Sequence, residues 1–585
     1  MFARRVCLLA ACALAATMIV ACDVGTDKVL SQSASVENVV DHADSDDFAW
    51  DSADVTEIAL NDNNISIEGE GALAEGNHLT VTSAGTYRLS GTLTDGQIIV
   101  DTEEEALVRL ILGGVTLSSS TSAPINIVNA EETVIVLESG SQNSISDGAV
   151  YVFESAGTDE PNAAIFSKTD LTFYGDGALT VAGNFNDGIT SKDGLVIAGG
   201  SISVNAVDDG IRGKDYLVIE GGTVTVNAGG DGLKSDNEED AARGYISISA
   251  GAITVTASGD AITAQTDVLI AGGEFTLMSG GGSAARLDGS VSAKGVKSVI
   301  STVIDGGVFT INSADDSVHS NSSIVINGGT FALSTGDDAV HADATVVING
   351  GEIRITDSYE GIESAIITIN GGDIHVVSSD DGVNVANGVD GSGMGGRPGR
   401  GVQQTTFTGS TYLYINGGTI VVDADGDGID VNGAVEMTGG VVIVNGPTEQ
   451  MNGALDYDAS FVISGGFLVA AGSSGMAQAP GEGSSQNSLL VNVSSTLPAG
   501  TLVHIQDSSG NDLLTFAPTK SYQSIAFSSA ALVTGSSYAV YFGGSAEGRA
   551  VDGLYQEAAY SGGTESATFT ASGAVTMLGQ SVRRR

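Results

Sequence analysis

The chain has 585 residues, of which 42% are hydrophobic, so it is long enough for several domains and has enough apolar side chains for a core. Its 72 acidic residues outnumber its 22 lysines and arginines, and the formal charge of −50 excludes nucleic-acid phosphate as a natural partner and favours cations. The 81 glycines and only 7 prolines exclude a proline-rich disordered chain and are typical of short strands joined by tight turns.

Residues 1–22 have the pattern of a bacterial lipoprotein signal. Two arginines precede an apolar run, Val6 to Val20, that is too short for a comfortable membrane span. The run ends in Ile-Val-Ala-Cys, which resembles a lipobox, so we expect Cys22 to be the acylated first residue of an exported protein. Residues 23–47, polar and without periodicity, would then tether the body to a membrane, at the cell surface or on a periplasmic face. An ordinary signal peptide with an incidental cysteine is the alternative.

A phrase that recurs about every 22 residues dominates the chain between residues 186 and 440. Each copy pairs an acidic turn with a double glycine one strand later, as in DDGIRGKDYLVIEGG (208–222) and DDAVHADATVVINGG (337–351). Short strands at such a period predict a solenoid whose coils bury their apolar faces against each other. About three short strands fit in each coil, so we predict an all-β fold, a parallel β-helix.

The regularity of the phrase sets the predicted domain boundaries. The repeat stops after Gly466, and a second set of short strands begins near residue 487, which predicts a small β-sandwich-like domain. We therefore divide the chain after the tether into a β-helix (48–469) with a glycine-rich insertion (388–409), a linker (470–486), a C-terminal β domain (487–577) and a tail (578–585).

Aligning the coils on one interior apolar residue predicts a column of acidic side chains two positions earlier. The interior residues are Ile189, Ile211, Leu233, Ile262, Val296, Val318, Val340, Ile362, Val383 and Ile429. Carboxylates stacked roughly 5 Å apart repel each other unless cations lie among them, and Ca²⁺ is the hard cation that carboxylate oxygens suit. The candidate calcium ligands are Asp187, Asp208, Asp209, Asp231, Asp315, Asp316, Asp337, Asp338, Glu360, Asp380, Asp381, Asp425 and Asp427.

Two observations limit this interpretation. The stretch DADGDGID (423–430) begins like an EF-hand loop, but Ala434 stands where the bidentate glutamate should be. Asp-Gly is also good turn chemistry, in which the aspartate bonds its own backbone and the glycine takes a positive φ, and this alternative remains open for each aspartate.

The position just after the interior residue predicts a second column, which is basic in its middle. Basic side chains beside bound calcium could hold an anionic sugar such as a uronate, whereas charge pairing between coils is the alternative. His319 and His341 as a zinc pair would need a third ligand that the sequence does not indicate. The candidate sugar ligands are Arg212, Lys234, Lys297, His319 and His341.

Several phrases resemble a known family of bacterial exported proteins with a calcium-binding, right-handed parallel β-helix, described as carbohydrate-binding and structurally similar to polysaccharide lyases. They include GTYRLSGTLTDGQIIV (85–100), NAAIFSKTDLTFYGDG (162–177), SAKGVKS (292–298) and NGALDYD (452–458), and the resemblance covers about 48–466. It implies a right-handed helix, calcium at the acidic turns, and binding of cellulose or acidic pectin-type glycan at the cell surface. Ala261 after Asp260, and Lys294 at an acidic position, depart from the pattern, so those coils are expected to lack a metal.

Three functional hypotheses follow. We favour a monomeric, lipid-anchored protein that binds calcium and polysaccharide without cleaving it. The first rival is a calcium-dependent lyase in which Lys234 or Lys297 abstracts the proton α to a uronate carboxyl. The second rival is a structural adhesin or surface rod, in which charge and repeat serve only rigidity and solubility.

Overall fold

The structure, a computed structural model, describes residues 48–62, 64–153, 155, 157–287, 291–386, 411–556 and 559–579. Cys22, the predicted tether and the predicted insertion lie outside these residues. The described chain is all-β, with a single short 3-10 turn at Ser52–Asp54. Among the described residues, no helix has the length and apolar character that a membrane crossing requires.

Most strands run parallel in three stacks, and each strand pairs with its equivalent one coil away. The turn stack follows the acidic turns, the return stack leads back to the glycine pairs, and the alternating stack follows those pairs. The turn stack contains His78–Val81, Gln97–Asp101, Ile125–Asn129, Ala163–Ser167, Asp187–Ser191, Ile211–Gly213, Leu233–Ser235, Ile262–Ala264, Val296–Ser298, Val318–Ser320, Val340–Ile348, Ile362–Ile369, Val383–Val385, Ile429–Val431 and Leu455–Tyr457.

Two strands, Val340–Ile348 and Ile362–Ile369, continue from the turn stack into the return stack. The other return strands are Val55–Asn61, Gly85–Leu93, Val108–Ser118, Glu132–Leu137, Asp170–Gly175, Gly194–Ile197, Tyr216–Ile219, Tyr245–Ile248, Asp267–Ile270, Ser301–Ile304, Ser323–Ile326, Tyr412–Ile415, Ala434–Met437 and Ser460–Ile463.

Gly85–Leu93 and Val108–Ser118 continue in the same way from the return stack into the alternating stack. The other alternating strands are Gln142–Ser146, Ala178–Gly183, Ser201–Ala206, Thr223–Ala228, Ala252–Ala257, Glu274–Ser279, Val308–Ser313, Thr330–Thr335, Glu352–Asp357, Asp373–Ser378, Thr419–Ala424, Val441–Asn445 and Phe467–Gly472.

The predicted register between coils is confirmed. Ile189 pairs with Ile211 and Ile211 with Leu233, and the column continues through the predicted residues to Ile429. These side chains are at most 2% exposed and belong to one continuous core. The repeat therefore specifies the pairing, because a slip of one residue would turn the buried side chains to solvent.

The glycine pair and the asparagine before it have separate roles. Gly329 adopts a φ of +107°, and a Cβ there would lie 3.1 Å from the carbonyl oxygen of Gly307 in the coil before. Outside this turn, Asn349 donates to Asn327 at 2.7 Å and Asn370 donates to Asn349 at 2.8 Å. The recurring Asn-Gly-Gly is thus a tight turn held to its neighbours by an amide ladder.

Antiparallel pairs close the first coils, and the C-terminal region extends the last one. Asn64–Glu68 pairs with Val55–Asn61, and Ala72–Glu75 with His78–Val81. At the other end, Phe467–Gly472 pairs antiparallel with Tyr522–Ser529. The predicted linker, 470–486, thus begins inside a strand, and its Ala479 is buried in the solenoid core.

The C-terminal region has its own core, which includes Phe516 and Phe527 and packs against outward-facing Val469 and Ile443 of the last coils. Six of its strands form an antiparallel sheet, with Ala550–Val551 at one edge. The strands of this region are Ser488–Leu497, Val503–Asp507, Asp512–Phe516, Tyr522–Ser529, Ser537–Phe542, Ser545–Glu547, Ala550–Val551, Leu554–Tyr555, Ala559–Ser561, Thr564–Thr570 and Val575–Leu578.

Candidate functional site

The acidic turns form a ladder of hydrogen bonds along the solenoid. Asp209 Oδ1 accepts the backbone N–H of Asp231 at 2.9 Å, and Asp231 Oδ1 accepts that of Asp260, also at 2.9 Å. A carboxylate that accepts a backbone N–H makes a strong, charge-assisted bond, so these residues support the fold whether or not a metal is present. The same bond joins Asp187 to Asp209, Asp260 to Lys294, Asp316 to Asp338, Asp338 to Glu360, and Asp381 to Asp427.

The turn-chemistry alternative does not describe Asp209 and Asp231 or the glycines that follow them. Their side chains bond the backbone of the next coil, whereas Asp315 Oδ1 accepts the N–H of Asp316 in its own turn. Gly210, after Asp209, does not have a left-handed φ; a Cβ at this glycine would lie 2.3 Å from Val226 Cγ1. Glycine is needed here for space inside the coil.

Lysine ammonium groups occupy the N-terminal part of the acidic column. Lys234 Nζ lies 2.9 Å from Asp209 Oδ2 and 2.9 Å from Asp231 Oδ2. In this part of the column, lysine side chains thus supply the positive charge that balances the carboxylates. Similar contacts join Lys297 Nζ to Asp260 at 3.0 Å, and Lys294 Nζ to Asp315 and Asp316 at 2.8 and 2.7 Å.

The predicted sugar-binding residues of the basic column are also paired with carboxylates. Arg212 makes a bidentate contact with Asp236 at 3.0 and 2.7 Å, and its side chain is 20% exposed. Lys234, the candidate lyase base, is held between two aspartates. Burial lowers its pKa, but Asp209 and Asp231 raise the pKa by more, so the amine stays protonated. This arrangement neutralises charge between coils, as the charge-pairing alternative expected.

The C-terminal part of the acidic column differs, because it lacks such cations. Among the described residues, no lysine or arginine forms an ion pair with Asp338, Glu360, Asp381 or Asp427. Burial and the neighbouring Glu363 raise the pKa of Glu360 to about 9. Burial, together with the neighbouring acids, raises the pKa of Asp381 to about 8. Carboxylates in this part are therefore crowded enough to hold protons near neutral pH.

Three carboxylates of this part converge at one point. One oxygen each of Asp381, Asp427 and Asp430 lies within 4.8 Å of the others, and all three side chains are half-buried. Asn384, which pairs with Asp430 in the strand register, donates its amide to Glu360 Oε2 at 2.7 Å. Its Oδ1 is buried without a hydrogen-bond partner. Carboxylate and amide oxygens are the kinds of ligand that Ca²⁺ prefers.

The other predicted calcium ligands are distributed differently. Asp208 is exposed, and Asp425 lies 2.8 Å from Lys520 of the C-terminal region. Asp315, Asp316 and Asp337 approach one another, but the Lys294 ammonium pairs with the first two. Asp430, which completes the convergent trio, was not among the predicted ligands, although its position next to the interior residue was a usable signal.

The two histidines of the basic column lie among carboxylates. His319 Nδ1 is 2.7 Å from Asp316 Oδ2, and the two imidazole rings are 5.0 Å apart. His341 forms one cluster with Asp316 and His319, and a second with Asp338 and Glu363. The tertiary structure thus brings carboxylates beside the two imidazoles, which the sequence did not indicate.

A cleft on the outer face of the first coils was missed by the sequence reasoning. It has a volume of about 610 Å³ and is lined by Trp50, Tyr174, and Arg88 with its bidentate partner Glu138. Trp50 is 38% exposed, and Tyr174 stacks on Phe48 with ring centroids 4.2 Å apart. The sequence contains one signal for this cleft. In LVRLILGG (107–114) and TVIVL (133–137), apolar residues do not alternate with polar ones, so outward-facing residues are apolar too. These outward-facing residues form the apolar floor of the cleft.

Comparison with known proteins relates part of the chain to carbohydrate binding. Residues 75–339 match the family model described as "Carbohydrate-binding domain-containing protein". A protein of that description from Acetivibrio thermocellus is 44% identical over 126 residues, which are 22% of this chain and 44% of the relative. The chain therefore spans less than half the length of that relative.

A solved structure was also found, described as the polysaccharide lyase-like protein from C. thermocellum, gadolinium derivative. It is 36% identical, covers 38% of this chain and 90% of its own, and superposes with a TM-score of 0.37. The resemblance to carbohydrate-binding domain-containing proteins is confirmed for residues 75–339, which contain Arg88, Glu138 and Tyr174. Trp50 of the cleft and the Asp381 trio lie outside the match.

Proposed function

We propose that this chain is an exported, lipid-anchored protein that binds a neutral polysaccharide in the Trp50 cleft and calcium at the Asp381 trio, on a right-handed parallel β-helix. The observation that carries the glycan site is the cleft itself. An exposed indole beside a paired guanidinium and carboxylate offers an apolar platform with fixed donors and acceptors, which is what the faces and hydroxyls of a sugar ring require.

The charge of the cleft favours a neutral glycan over an acidic one. Three carboxylates line it (Glu57, Glu138 and Asp176), against the single guanidinium of Arg88. The carboxylates can accept hydrogen bonds from sugar hydroxyls, whereas a uronate would meet like charge. A cellulose-type glucan is thus the better ligand class for this cleft.

Intrinsic fluorescence tests the glycan site directly, because Trp50 is the single tryptophan of the chain. We expect cello-oligosaccharides to change the emission of Trp50, and Tyr174→Ala to weaken the response at least several-fold. Tyr541→Ala, in the C-terminal sheet, is the matched control and should bind like the unchanged protein. Retained cellulose binding by Trp50→Ala, with no change of emission in the unchanged protein, would rule out this cleft.

Calcium fits the Asp381 trio for the reasons of donor chemistry given above. Asp381, Asp427, Asp430 and the Asn384 amide oxygen would hold the ion, which would neutralise the cation-free part of the column. The lysine-filled coils do not fit Ca²⁺, since an ammonium already lies among their carboxylates.

Calorimetric titration of the EDTA-treated chain tests the calcium site. We expect Ca²⁺ binding and a rise in the melting temperature, both lost in Asp430→Asn. Asp208→Asn, which removes an exposed carboxylate outside the trio, should leave both unchanged. A melting temperature that does not respond to calcium or EDTA would exclude a structural calcium ion.

The non-cleaving role and the membrane anchor are part of the same proposal. The two ion pairs of Lys234 support binding without cleavage, because a lysine held as a cation cannot accept the substrate proton. Appearance of unsaturated-uronate absorbance with pectate would favour a lyase, and an absence of glycan binding with calcium present would favour a passive rod.

For the anchor, Cys22→Ser should release the protein from membranes, and continued membrane association would refute acylation.

A further inference from the structure

We propose that Asp338, His341 and Glu363 form a buried site for a first-row transition-metal dication such as Zn²⁺, separate from the calcium site. One ligand atom of each residue lies within 4.8 Å of the others. The three side chains are 1%, 0% and 6% exposed.

The fold places these residues together through its register. His341 and Glu363 follow the interior residues Val340 and Ile362, and they face each other in adjacent strands of the turn stack. Asp338 precedes Val340 by two residues and is fixed by accepting the Glu360 N–H at 3.2 Å. The ligand positions are therefore set by paired backbone, which favours a preorganised metal site.

The distances are those of ligands that share an ion. His341 Nδ1 lies 3.5 Å from Asp338 Oδ2 and 3.8 Å from Glu363 Oε2. An N–H···O hydrogen bond is usually about 2.7–3.2 Å long. Two ligands bound to one tetrahedral Zn²⁺ at about 2.0–2.1 Å each are about 3.4 Å apart, close to the spacing found here.

The donor chemistry selects a transition metal over calcium. Imidazole nitrogen with carboxylate oxygen suits Zn²⁺ and its first-row neighbours, whereas Ca²⁺ takes oxygen ligands. Two carboxylates without a lysine or arginine in the trio would also gain charge balance from a dication.

Cobalt titration of the EDTA-treated full chain tests this site by its spectrum. We expect Co²⁺ to give visible absorption bands of a tetrahedral or five-coordinate centre with one ion bound, and Zn²⁺ to abolish them by displacement. His341→Gln should weaken Co²⁺ and Zn²⁺ binding at least tenfold. His375→Gln, at a half-buried histidine of the alternating stack, is the matched control and should bind as the unchanged protein does.

The outcome is independent of the calcium proposal. Asp430→Asn should lose calcium and keep the cobalt spectrum, and His341→Gln should do the reverse. If His341→Gln fails to fold by circular dichroism, Glu363→Gln takes its place, with the same expected loss. Cobalt bands of equal intensity in a folded His341→Gln or Glu363→Gln protein, or no bands in the unchanged protein, would overturn the site.

Discussion

At the scale of single residues, the repulsion among the carboxylates of the acidic column is relieved in different ways in different coils. Where a lysine reaches between two coils, as Lys234 does, its ammonium pairs with an aspartate of each coil. Where no lysine is present, as at Asp381, the pKa of the carboxyl rises through burial and neighbouring acids. We therefore propose a metal only in the second kind of coil.

Replacing Lys234 should show how much its ammonium group contributes to the free energy of unfolding. Lys234→Met leaves buried Asp209 and half-buried Asp231 without their cation, so we expect the free energy of unfolding to fall by roughly 1–3 kcal/mol. The control is Lys168→Met, since Lys168 is half-exposed and its partner Glu160 is 4.0 Å away, a pair worth about 0–1 kcal/mol. Denaturant titration measures both, and equal effects would show that Lys234 contributes no special neutralisation.

At the scale of elements, similar side chains pack on each other at equivalent positions of successive coils. Phe275, Phe309 and Phe331 occupy equivalent positions of the alternating stack, with ring centroids 4.5 and 4.6 Å apart and planes within 3° of parallel. Phe309 stacks on both of the other rings, so its side chain contributes the most ring contacts.

Truncating the middle ring should be strongly destabilising. Phe309 is 1% exposed, so Phe309→Ala removes a buried ring from between two others, and we expect a loss of about 3–5 kcal/mol. The adjacent Val308 is 52% exposed, and Val308→Ala should cost less than about 0.5 kcal/mol. Thermal unfolding followed by circular dichroism compares them; a small effect of Phe309→Ala would mean that the coil collapses around the gap.

The cation-free coils also predict how stability depends on pH. Burial raises the pKa of Asp430 to about 7, that of Asp381 to about 8 and that of Asp427 to about 6, whereas unfolded aspartates release their protons near 4. The folded state thus binds more protons between these values, and stability falls as pH rises through that window. In EDTA we expect the melting temperature to drop between pH 5 and pH 8, with a smaller drop in millimolar calcium. A melting temperature that rises with pH in EDTA would contradict the raised pKa values.

At the scale of the whole molecule, the C-terminal region completes the solenoid. Phe467–Gly472 is the last parallel strand of the alternating stack, and Tyr522–Ser529 pairs with its outer edge. Lys520 also reaches back to Asp423 and Asp425. An uncovered strand edge is a template for association with other chains, so this cover keeps the end of the stack from pairing further.

Deleting the cover should therefore change the state of association. A chain that ends at residue 486 exposes the edge of Phe467–Gly472, and we expect soluble oligomers or aggregates by light scattering. The chain from Phe48 to Gly579 is the comparison and should remain monomeric. A monomeric, cooperatively melting truncated chain would show that the last coil protects its own edge.

The predicted parallel fold and interior column could be obtained from the sequence because a repeat encodes contacts locally. Ile211 is followed 22 residues later by Leu233, and constant spacing converts chain distance into spatial adjacency. The full set of calcium ligands stays a prediction, and we propose calcium only at the Asp381 trio, since one-dimensional spacing places carboxylates in line but does not show whether a lysine side chain reaches between them.

The amino-acid sequence by itself determined the coil length, the stacked columns and the resemblance to carbohydrate-binding proteins, because all three reside in residue order and period. Only the tertiary structure decided which carboxylates keep a cation of their own, that Asp338, His341 and Glu363 converge, and that Trp50 and Tyr174 share a cleft. Those outcomes depend on how far a side chain extends into the next coil and on contacts between segments far apart in the chain. A repeating sequence pattern specifies neither of these.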